Sequence, residues 1–421
     1  MSSPADSTIL TLNETDLEKQ DTKPDDQPAH LPAHLTQSNV ERPQKLVHEA
    51  AFVFILCMAQ FMTQAALAQS IAPSRIIGSS FGTTNPGELS WFPAAYSLTV
   101  GTFILVAGRL GDLFGHKKLF IAGFAWFGLW SLLAGFSVYS TNIFFNCCRA
   151  FQGIGCAFTL PNAIAILGRS YKPGTRKQMV FSLLGATAPS GFVVGAVFSS
   201  LLAEFAWWPW AYWILAIVCT LFVAIGLVVI PNTPPPHLDD SVSMWLRVDA
   251  LGSITGVSGL VLVNFAWNQA PIVGWTNPYT YVLLVVGFVS LGLFGYIESH
   301  VAKFPLIPFR VMSGDIGFLL ACVGFGWASF SVWMYYFWQF LENLRGLSPL
   351  LASAQFTPVA VSGLFAALTT GYILHRVPGS IIMMIALTAF AVGLILLATA
   401  PVGQTYWAQT FVSLIIMPWG M

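Results

Sequence analysis

Long apolar stretches with almost no charged residues recur from residue 50 to the last residue of the chain. Twelve such stretches can be delimited, at 50–71, 89–108, 119–139, 143–168, 179–203, 206–230, 250–268, 279–297, 316–340, 350–374, 381–400 and 406–421. A helix needs about 20 residues to cross the hydrocarbon core of a bilayer. Only the fourth stretch contains a Lys, Arg, Asp or Glu residue, which is Arg149. The pattern therefore predicts an all-α polytopic protein embedded in a lipid bilayer.

Composition narrows the possible functions further. Of the 421 residues, 56% are apolar and 9% are charged, against the roughly 25% charged residues of a typical soluble domain. The net charge of zero provides no basic field that would attract nucleic acid. The chain also lacks the GxxxxGK[ST], HExxH and GxSxG motifs of nucleotide, zinc and hydrolase chemistry. We therefore expect no enzyme, no cofactor, no bound metal and no nucleic-acid partner, and any transport must draw its energy from a gradient.

The two ends of the chain differ from the apolar stretches between them. Residues 1–49 carry nine acidic and four basic side chains, and they are predicted to form a disordered tail because they have little apolar surface to bury. The last stretch, 406–421, has 16 residues, or about 24 Å of helix, less than the roughly 30 Å of a hydrocarbon core. We therefore expect the sequence to be truncated within a span.

Lysine and arginine residues are concentrated on one side of the predicted membrane. With the tail in the cytosol, the tail and the even-numbered loops hold fifteen of the eighteen Lys and Arg residues. Loops with an excess of positive charge stay cytoplasmic, so the distribution predicts a cytoplasmic N-terminus. The proline-rich segment 231–249 is predicted to be a cytoplasmic linker between two helix bundles.

The loop between the second and third stretches has the sequence GRLGDLFGHKK at 108–118. Gly111 and Gly115 permit a tight turn, and Asp112 lies near helix ends where basic residues can pair with it. A carboxylate held in this way between two bundles forms a latch that breaks when the angle between the bundles changes. An ordinary positively charged turn explains the same residues equally well, so both interpretations remain open.

One face of the fourth stretch is polar. Asn146, Arg149, Gln152, Gly153 and Cys156 recur at three- and four-residue steps and therefore share a helix face. An arginine at the bilayer centre costs at least about 2.5 to 3.5 kcal/mol, so it normally faces the protein interior or a water-filled cavity. We expect Arg149 and Gln152 to lie on a substrate or coupling pathway. The alternative is that the Arg149 side chain extends to the membrane surface.

The fifth stretch combines a proline with small residues at four-residue spacing. Gly185 and Pro189 are followed by Gly191 and Gly195. Small residues spaced by four allow two helices to approach backbone to backbone, and Pro189 removes one helical hydrogen bond and so favours a bend. These residues are predicted to act as a hinge and as a helix-packing surface, although many packed membrane helices show such spacing.

Uncharged polar and aromatic side chains occur inside three other stretches. Gln60 and Gln64 lie on one face of the first stretch, Gln355 lies in the tenth, and Trp327 and Trp333 lie in the ninth. Amide side chains inside a bundle either bind a substrate or hold helices together, and the sequence does not separate these roles. The two tryptophans are expected to line an apolar pocket.

Three of these motifs, in this order, resemble those of the major facilitator superfamily. The loop matches the family pattern G-x-L-x-D-R-x-G-R-K at Gly108, Leu110, Asp112, Gly115 and Lys117. The fourth stretch matches R-x-x-Q-G-x-G at 149–155, and the fifth is similar at 185–195 to the motif of exporters that work by antiport. The chain most resembles the fourteen-span drug–proton antiporters, in particular the fungal branch of aminotriazole-resistance proteins. The resemblance implies a six-helix bundle at 50–230, two linking spans at 250–297 and four helices of a second bundle at 316–421.

The resemblance also implies a function. It indicates a monomeric secondary transporter, in the plasma or the vacuolar membrane, that exports small organic toxicants or metabolites in exchange for protons by alternating access. The chain departs from the family loop at Leu113 and His116, where the family has arginines, and from many fourteen-span relatives at Gln64, where they have an aspartate. No stretch contains an acid or a histidine, so the candidates for proton transfer lie at span ends: Glu88, Asp112, Glu204, Asp249 and Glu298. A proton-independent facilitator or uptake carrier, and a membrane sensor without transport, remain alternatives.

Overall fold

The computed structural model describes residues 46–232, 243–374 and 376–421, without the side chain of Arg310. Its α-helices within these ranges are α1 (Leu46–Ile71), α2 (Ser74–Ser80), α3 (Pro86–Phe114), α4 (His116–Phe136), α5 (Asn142–Ser170), α6 (Thr175–Phe205), α7 (Pro209–Val229), α8 (Met244–Arg247), α9 (Ala250–Val273), α10 (Pro278–Tyr296), α11 (Gly314–Gln339), α12 (Pro349–Phe356), α13 (Pro358–Ile373), α14 (Gly379–Ala398) and α15 (Gln409–Ile416). Helices α10 and α11 continue into π-helical turns at Ile297–Val301 and Phe340–Leu344. The described ranges contain no β-strand, and the all-α prediction is confirmed.

Eleven helical segments of the described residues are long and apolar enough to cross a membrane. The prediction of a polytopic membrane protein is therefore confirmed. The twelfth predicted stretch, 406–421, is not among these segments, because it folds as the eight-residue α15 followed by the 3-10 turn Met417–Gly420. The tenth stretch contains a break that the sequence analysis missed, since α12 ends at Phe356 and Pro358 begins α13.

Helix α1 begins earlier than predicted. Residues 46–49, which were expected to belong to the disordered tail of residues 1–49, are helical, whereas the rest of that tail lies outside the described residues. Glu49 accepts a hydrogen bond from the Tyr171 hydroxyl (3.0 Å) and forms an ion pair with Arg176 (2.5 Å). Burial, with the Glu49 carboxylate beside it, raises the pKa of Tyr171 to about 12. These contacts join the start of α1 to Tyr171, just after α5, and to the first turn of α6. Of the predicted linker 231–249, residues 233–242 also lie outside the described ranges.

The helix ends define two faces of the protein. The basic face, where α1, α4 and α6 begin, carries Arg109, Lys117, Arg169 and Lys177. At the opposite face lie the ends of α1 and α6 and the turn after α11, with Arg75, Glu204 and Glu342. Between α3 and α4 the chain reverses at the basic face through Gly115 alone, whose φ of 100° is one that favours glycine.

Small residues let the helices of the first group, α1 to α7, approach closely. A Cβ atom on Gly191 would lie 2.2 Å from the carbonyl oxygen of Phe61, and one on Gly195 would lie 2.4 Å from that of Ala65. These two glycines therefore place α6 backbone to backbone against α1, as their spacing predicts.

Helix α6 also contacts the second group, α11 to α15. Pro189 packs on Gly363 of α13, and the Ser200 hydroxyl lies 2.9 Å from the Ser353 hydroxyl of α12. The surface where the two groups meet is termed the seam. The pair α9–α10 packs elsewhere, against α3, where the Trp91 indole donates a hydrogen bond to Gln269 (3.1 Å).

Candidate functional site

A cavity of about 640 Å³ lies between the two helix groups. It extends from the exposed residues Pro173 and Gly174 at the basic face to Gln60, Pro189 and Pro418 deeper in the protein. Its walls come from α1, α6, α11 and α13, with the turn after α15. The volume falls within the roughly 300 to 1,000 Å³ of sites that bind drug-sized molecules.

The lining of the cavity is mostly apolar and includes aromatic rings. Phe181, Trp327 and Trp419 provide the large rings, and Ala188, Ala366 and Ala367 provide small apolar surface. The polar side chains are those of Gln60, Lys177, Gln178, Ser182 and Thr370. None of the described residues that line the cavity is acidic. A few convergent polar groups in an apolar wall can orient an organic molecule and bind most of its surface.

Lys177 is the one charged residue among the described residues of the lining. Its ammonium group donates a hydrogen bond to the carbonyl of Gly168 (2.8 Å) and lies 5.9 Å from the centre of the Phe181 ring. Two of its three donors are free of that bond. The mouth of the cavity is therefore electropositive.

The cavity does not continue to the opposite face, because the seam closes there. The Phe192 ring of α6 packs 5.4 Å from Phe356 and 6.5 Å from Trp338, measured between ring centres. These rings belong to one apolar cluster with residues at the end of α1, including Ile71. Beyond it, Glu204 accepts a hydrogen bond from the Leu350 amide (2.7 Å). The cavity is thus accessible from the basic face and closed toward the opposite face.

The residues predicted to form the hinge and the packing surface of α6 separate into two pairs: Gly185 and Pro189 line the cavity, and Gly191 and Gly195 pack on α1. Helix α6 runs without interruption through Pro189, which lines the cavity and contacts α13. Gly185 also lines the cavity, but a Cβ atom there would meet nothing within 4 Å. The packing surface toward α1 therefore consists of Gly191 and Gly195 and not of Gly185, and the hinge role of Gly185 and Pro189 stays a prediction.

Arg149 is completely buried inside the first helix group. Its guanidinium donates to the carbonyls of Phe92 (3.2 Å) and Ala66 (2.8 Å), to the Ser70 hydroxyl (2.9 Å) and to Gln152. Gln152 in turn donates to the Ser131 hydroxyl (2.7 Å). The guanidinium carbon lies 4.5 Å from the centre of the Tyr96 ring, a distance at which a cation is attracted to the ring face.

Neither Arg149 nor Gln152 borders the cavity. Their place on a substrate or coupling pathway therefore stays a prediction, whereas the alternative that Arg149 reaches the membrane surface is wrong, because its side chain is fully buried. Two backbone carbonyls and the side chains of Ser70 and Gln152 accept hydrogen bonds from this buried cation, which is a structural use of arginine that joins α1, α3 and α5.

Of the predicted latch residues, Asp112 contacts basic side chains, as expected, but Lys117 is not one of them. Asp112 forms an ion pair with Arg169 (2.9 Å) and lies 3.3 Å from the His116 ring. Lys117 donates instead to the carbonyl of Leu227 (3.0 Å). Gly108 faces Pro161 of α5, which a Cβ atom would approach to 3.8 Å. All these contacts lie within the first helix group, so Asp112 does not join the two groups in this conformation.

The predicted polar and aromatic candidates divide between the cavity and the core. Gln60 and Trp327 line the cavity, whereas Gln64 and Gln355 do not. Trp333 is also absent from the lining, because it is fully buried and donates to the Ser413 hydroxyl (2.7 Å). Four lining residues were not predicted from the sequence: Lys177, Ser182, Thr370 and Trp419. Glu342, which is 5% exposed and follows the ninth stretch by only two residues, was not predicted either.

A helical membrane protein with a cavity between two packed groups, accessible from one face and sealed at the other, has the form of a membrane transporter. Residues 51–421 match the profile of the Major Facilitator Superfamily, and the chain belongs to this family.

Relatives of the chain are known in fungi. It is 65% identical over 382 residues to the low affinity ammonium transporter of Saccharomyces cerevisiae, and the aligned region covers 90% of this chain and 74% of that protein. It is 53% identical to the efflux pump terJ of Aspergillus terreus (91% and 74% covered) and 36% identical to the aminotriazole resistance protein of S. cerevisiae (89% and 69%). The predicted place among the drug-efflux-like proteins, near the aminotriazole-resistance branch, is confirmed.

The fold is also found in solved structures. A crystal structure of the peptide transporter POT in complex with sulfate matches 88% of this chain and 79% of that one, with a TM-score of 0.57 and 15% sequence identity. At this identity the likeness concerns the fold alone.

Proposed function

We propose that the protein exports small organic compounds, either toxicants or metabolites, in exchange for protons by alternating access. The observation that carries this proposal is the cavity of about 640 Å³ that is accessible from the basic face and closed at the opposite face by the seam. In alternating access, two bodies rock about a central site and expose it to one side at a time. The two bodies are the predicted bundles 50–230 and 316–421, and the linking pair at 250–297 moves with the first.

The charge distribution supports an orientation of the cavity in the membrane, and export is the direction proposed for it. Positively charged loops remain in the cytosol, so the basic face, and with it the mouth of the cavity, is cytoplasmic. A substrate then enters from the cytosol and leaves at the opposite face after the seam opens. The protein works in the plasma membrane in this proposal, and the vacuolar membrane is the second location.

The chemistry of the lining supports a proposal for the substrate class. Trp327, Trp419 and Phe181 offer flat apolar surfaces, and Gln60 and Thr370 offer hydrogen bonds. An organic cation would bury its charge beside Lys177 without a carboxylate among the described lining residues, which is unfavourable. The preferred substrates are therefore neutral or anionic, with an aromatic or other apolar body.

Two assays test the proposed function. Expression in a drug-sensitised yeast strain should protect the cells from a subset of neutral or anionic toxicants. Inside-out vesicles should then accumulate one of these compounds when a proton gradient is imposed, and should lose it when the gradient is collapsed. A transport rate that does not change on collapse of the gradient would favour a proton-independent facilitator or uptake carrier. Saturable binding without any flux would favour a sensor.

A second candidate is transport of ammonium, which is favoured by the 65% identity to a protein named as a low affinity ammonium transporter. The cavity gives little support to this candidate, because it is far larger than an ammonium ion and its one charged lining residue among those described is a lysine. Uptake of radiolabelled methylammonium by the expressing yeast cells, compared with export of the protected toxicant, separates the two candidates.

A further inference from the structure

An acidic side chain, that of Glu342, is buried where the seam closes the opposite face. Glu342 lies in the π-helical turn Phe340–Leu344 at the end of α11 and is 5% exposed. One of its carboxylate oxygens, Oε1, has no hydrogen-bond partner among the described residues. Glu342 also takes part in none of the ion pairs found in the described part of the chain. Turns of this π type occur frequently at functional sites.

Two charged groups of the first helix group face Glu342 across the seam. Arg75, just after the start of α2, donates a hydrogen bond to the backbone carbonyl of Glu342 (3.4 Å), not to its carboxylate. Glu204, near the end of α6, also acts electrostatically on Glu342, and one of its oxygens accepts from the Leu350 amide. On its own side of the seam, the neighbouring Arg345 is turned away, toward the carbonyl of Pro401 (3.4 Å) and the Phe340 ring. Helices α1 and α12 contribute apolar side chains and no ionisable ones at this place.

This arrangement favours a neutral carboxyl group while the seam is closed. A buried carboxylate without a partner is strongly disfavoured, and such a group takes up a proton instead. The nearby negative charge of Glu204 acts in the same direction, whereas Arg75 opposes it. Because Arg75 and Glu204 belong to the first helix group and Glu342 to the second, separation of the groups at the opposite face would admit water to Glu342 and favour its ionised form.

We propose that Glu342 is a proton-binding site created by closure of the seam. The carboxylate takes one proton from the aqueous phase at the opposite face as the seam closes, and the O–H bond breaks to return that proton to the same phase when the seam opens. Acidity at the opposite face therefore stabilises the conformation that is accessible from the basic face. Because the proton returns to the phase it came from, Glu342 moves no proton across the membrane. It instead makes the conformational equilibrium of the proposed substrate–proton exchange depend on the pH at the opposite face. This role rests on the alternating-access part of the proposed function only.

The closed seam can be measured directly through Ser200 and Ser353, whose hydroxyl oxygens lie 2.9 Å apart. In the double variant Ser200→Cys, Ser353→Cys, oxidative cross-linking reports the closed conformation, and mass spectrometry of the joined peptides identifies the bond. Thiol oxidation itself depends on pH. At each pH, the cross-linking yield is therefore divided by the yield of the same double variant that also carries Glu342→Gln. The Gln side chain imitates the neutral carboxyl group, and this variant should remain closed at all pH values. The exposed Asp315, at the other end of α11, provides the matched control variant Asp315→Asn.

The measured ratio is the cross-linking yield of the double variant with Glu342 divided by the yield with Glu342→Gln. We expect this ratio to be near one at about pH 5 and to fall with rising pH. The fall should reach up to about tenfold per pH unit once the carboxylate of the open conformation is ionised. The Asp315→Asn variant should show the same fall. A ratio that stays constant from about pH 5 to about pH 8 would overturn the proposal. The proposed function can fail separately: if purified protein shows no gradient-driven export but the ratio still falls, the proton site stands and the exporter does not.

Discussion

The contact of α6 with α1 allows a quantitative prediction for Gly191→Ala. The added methyl carbon would lie 2.2 Å from the carbonyl oxygen and 2.8 Å from the Cα atom of Phe61, whereas ordinary contacts begin near 3.4 Å. Both neighbouring atoms belong to the backbone, so the two helices must separate by about 1 Å, which forfeits a quarter to half of the dispersion energy along the contact. Overpacking of this kind costs about 1 to 3 kcal/mol, and the higher helix propensity of alanine returns up to about 1 kcal/mol.

The matched control is Gly185→Ala on the same helix. A Cβ atom at Gly185 meets nothing within 4 Å, so only the gain in helix propensity of up to about 1 kcal/mol remains. Both variants gain the same helix propensity, so we expect the free energy of unfolding of Gly191→Ala to lie about 1 to 3 kcal/mol below that of Gly185→Ala. Gly185→Ala should match or exceed the wild-type value. Reversible unfolding of the purified protein by titration with sodium dodecyl sulfate, followed by tryptophan fluorescence, measures both. Equal stability of the two variants would refute the close packing of α6 on α1.

Three further variants test other parts of the structure. Arg149→Lys should abolish transport and lower the free energy of unfolding by at least about 2 kcal/mol in the same titration, because lysine leaves several of the buried acceptors of the guanidinium unsatisfied. Wild-type stability of this variant would contradict the buried hydrogen-bond network around Arg149. Asp112→Asn should change stability by less than about 1 kcal/mol, since its pair with Arg169 is half exposed; a larger loss in that titration would mean that Asp112 has partners beyond those described. Trp327→Ala should reduce export of the protected toxicant in vesicles with little change in stability, because the side chain lines the cavity and is 40% exposed; unchanged export would remove Trp327 from the substrate site.

Much of the fold could be predicted because it depends on local patterns. The membrane helices follow from the length and the apolar character of each stretch. A close contact of α6 with another helix follows from the spacing of Gly191 and Gly195, although its partner α1 does not. The interior position of Arg149 follows from the cost of exposing it to lipid. Its partners could not be predicted, because two of the four are backbone carbonyls, which every residue possesses, and Ser70 lies on a different helix.

The candidate site was harder to predict because it is assembled from separate helices. Asp112 pairs with Arg169, 57 residues away, and not with the neighbouring Lys117. The cavity draws Gln60 and Trp327 from different helix groups, and their identification required the tertiary packing. A sequence signal did exist for Glu342. Only Leu341 separates this acid from the ninth apolar stretch, which places it near the membrane surface. One additional helical turn is enough to bury a side chain at that position.

The central claim is that the cavity between the two helix groups is the path of the substrate. Gly185 lines this cavity and has open space beside it, so Gly185→Cys can be labelled there by a membrane-impermeant thiol reagent applied to the basic face. Ser97→Cys, in a separate groove of about 410 Å³ between α3 and α9, is the control. We predict that a transported compound slows labelling at position 185 in a saturable manner and leaves position 97 unaffected. Protection of position 97 alone, or unchanged labelling at position 185 while the compound is exported, would contradict the claim.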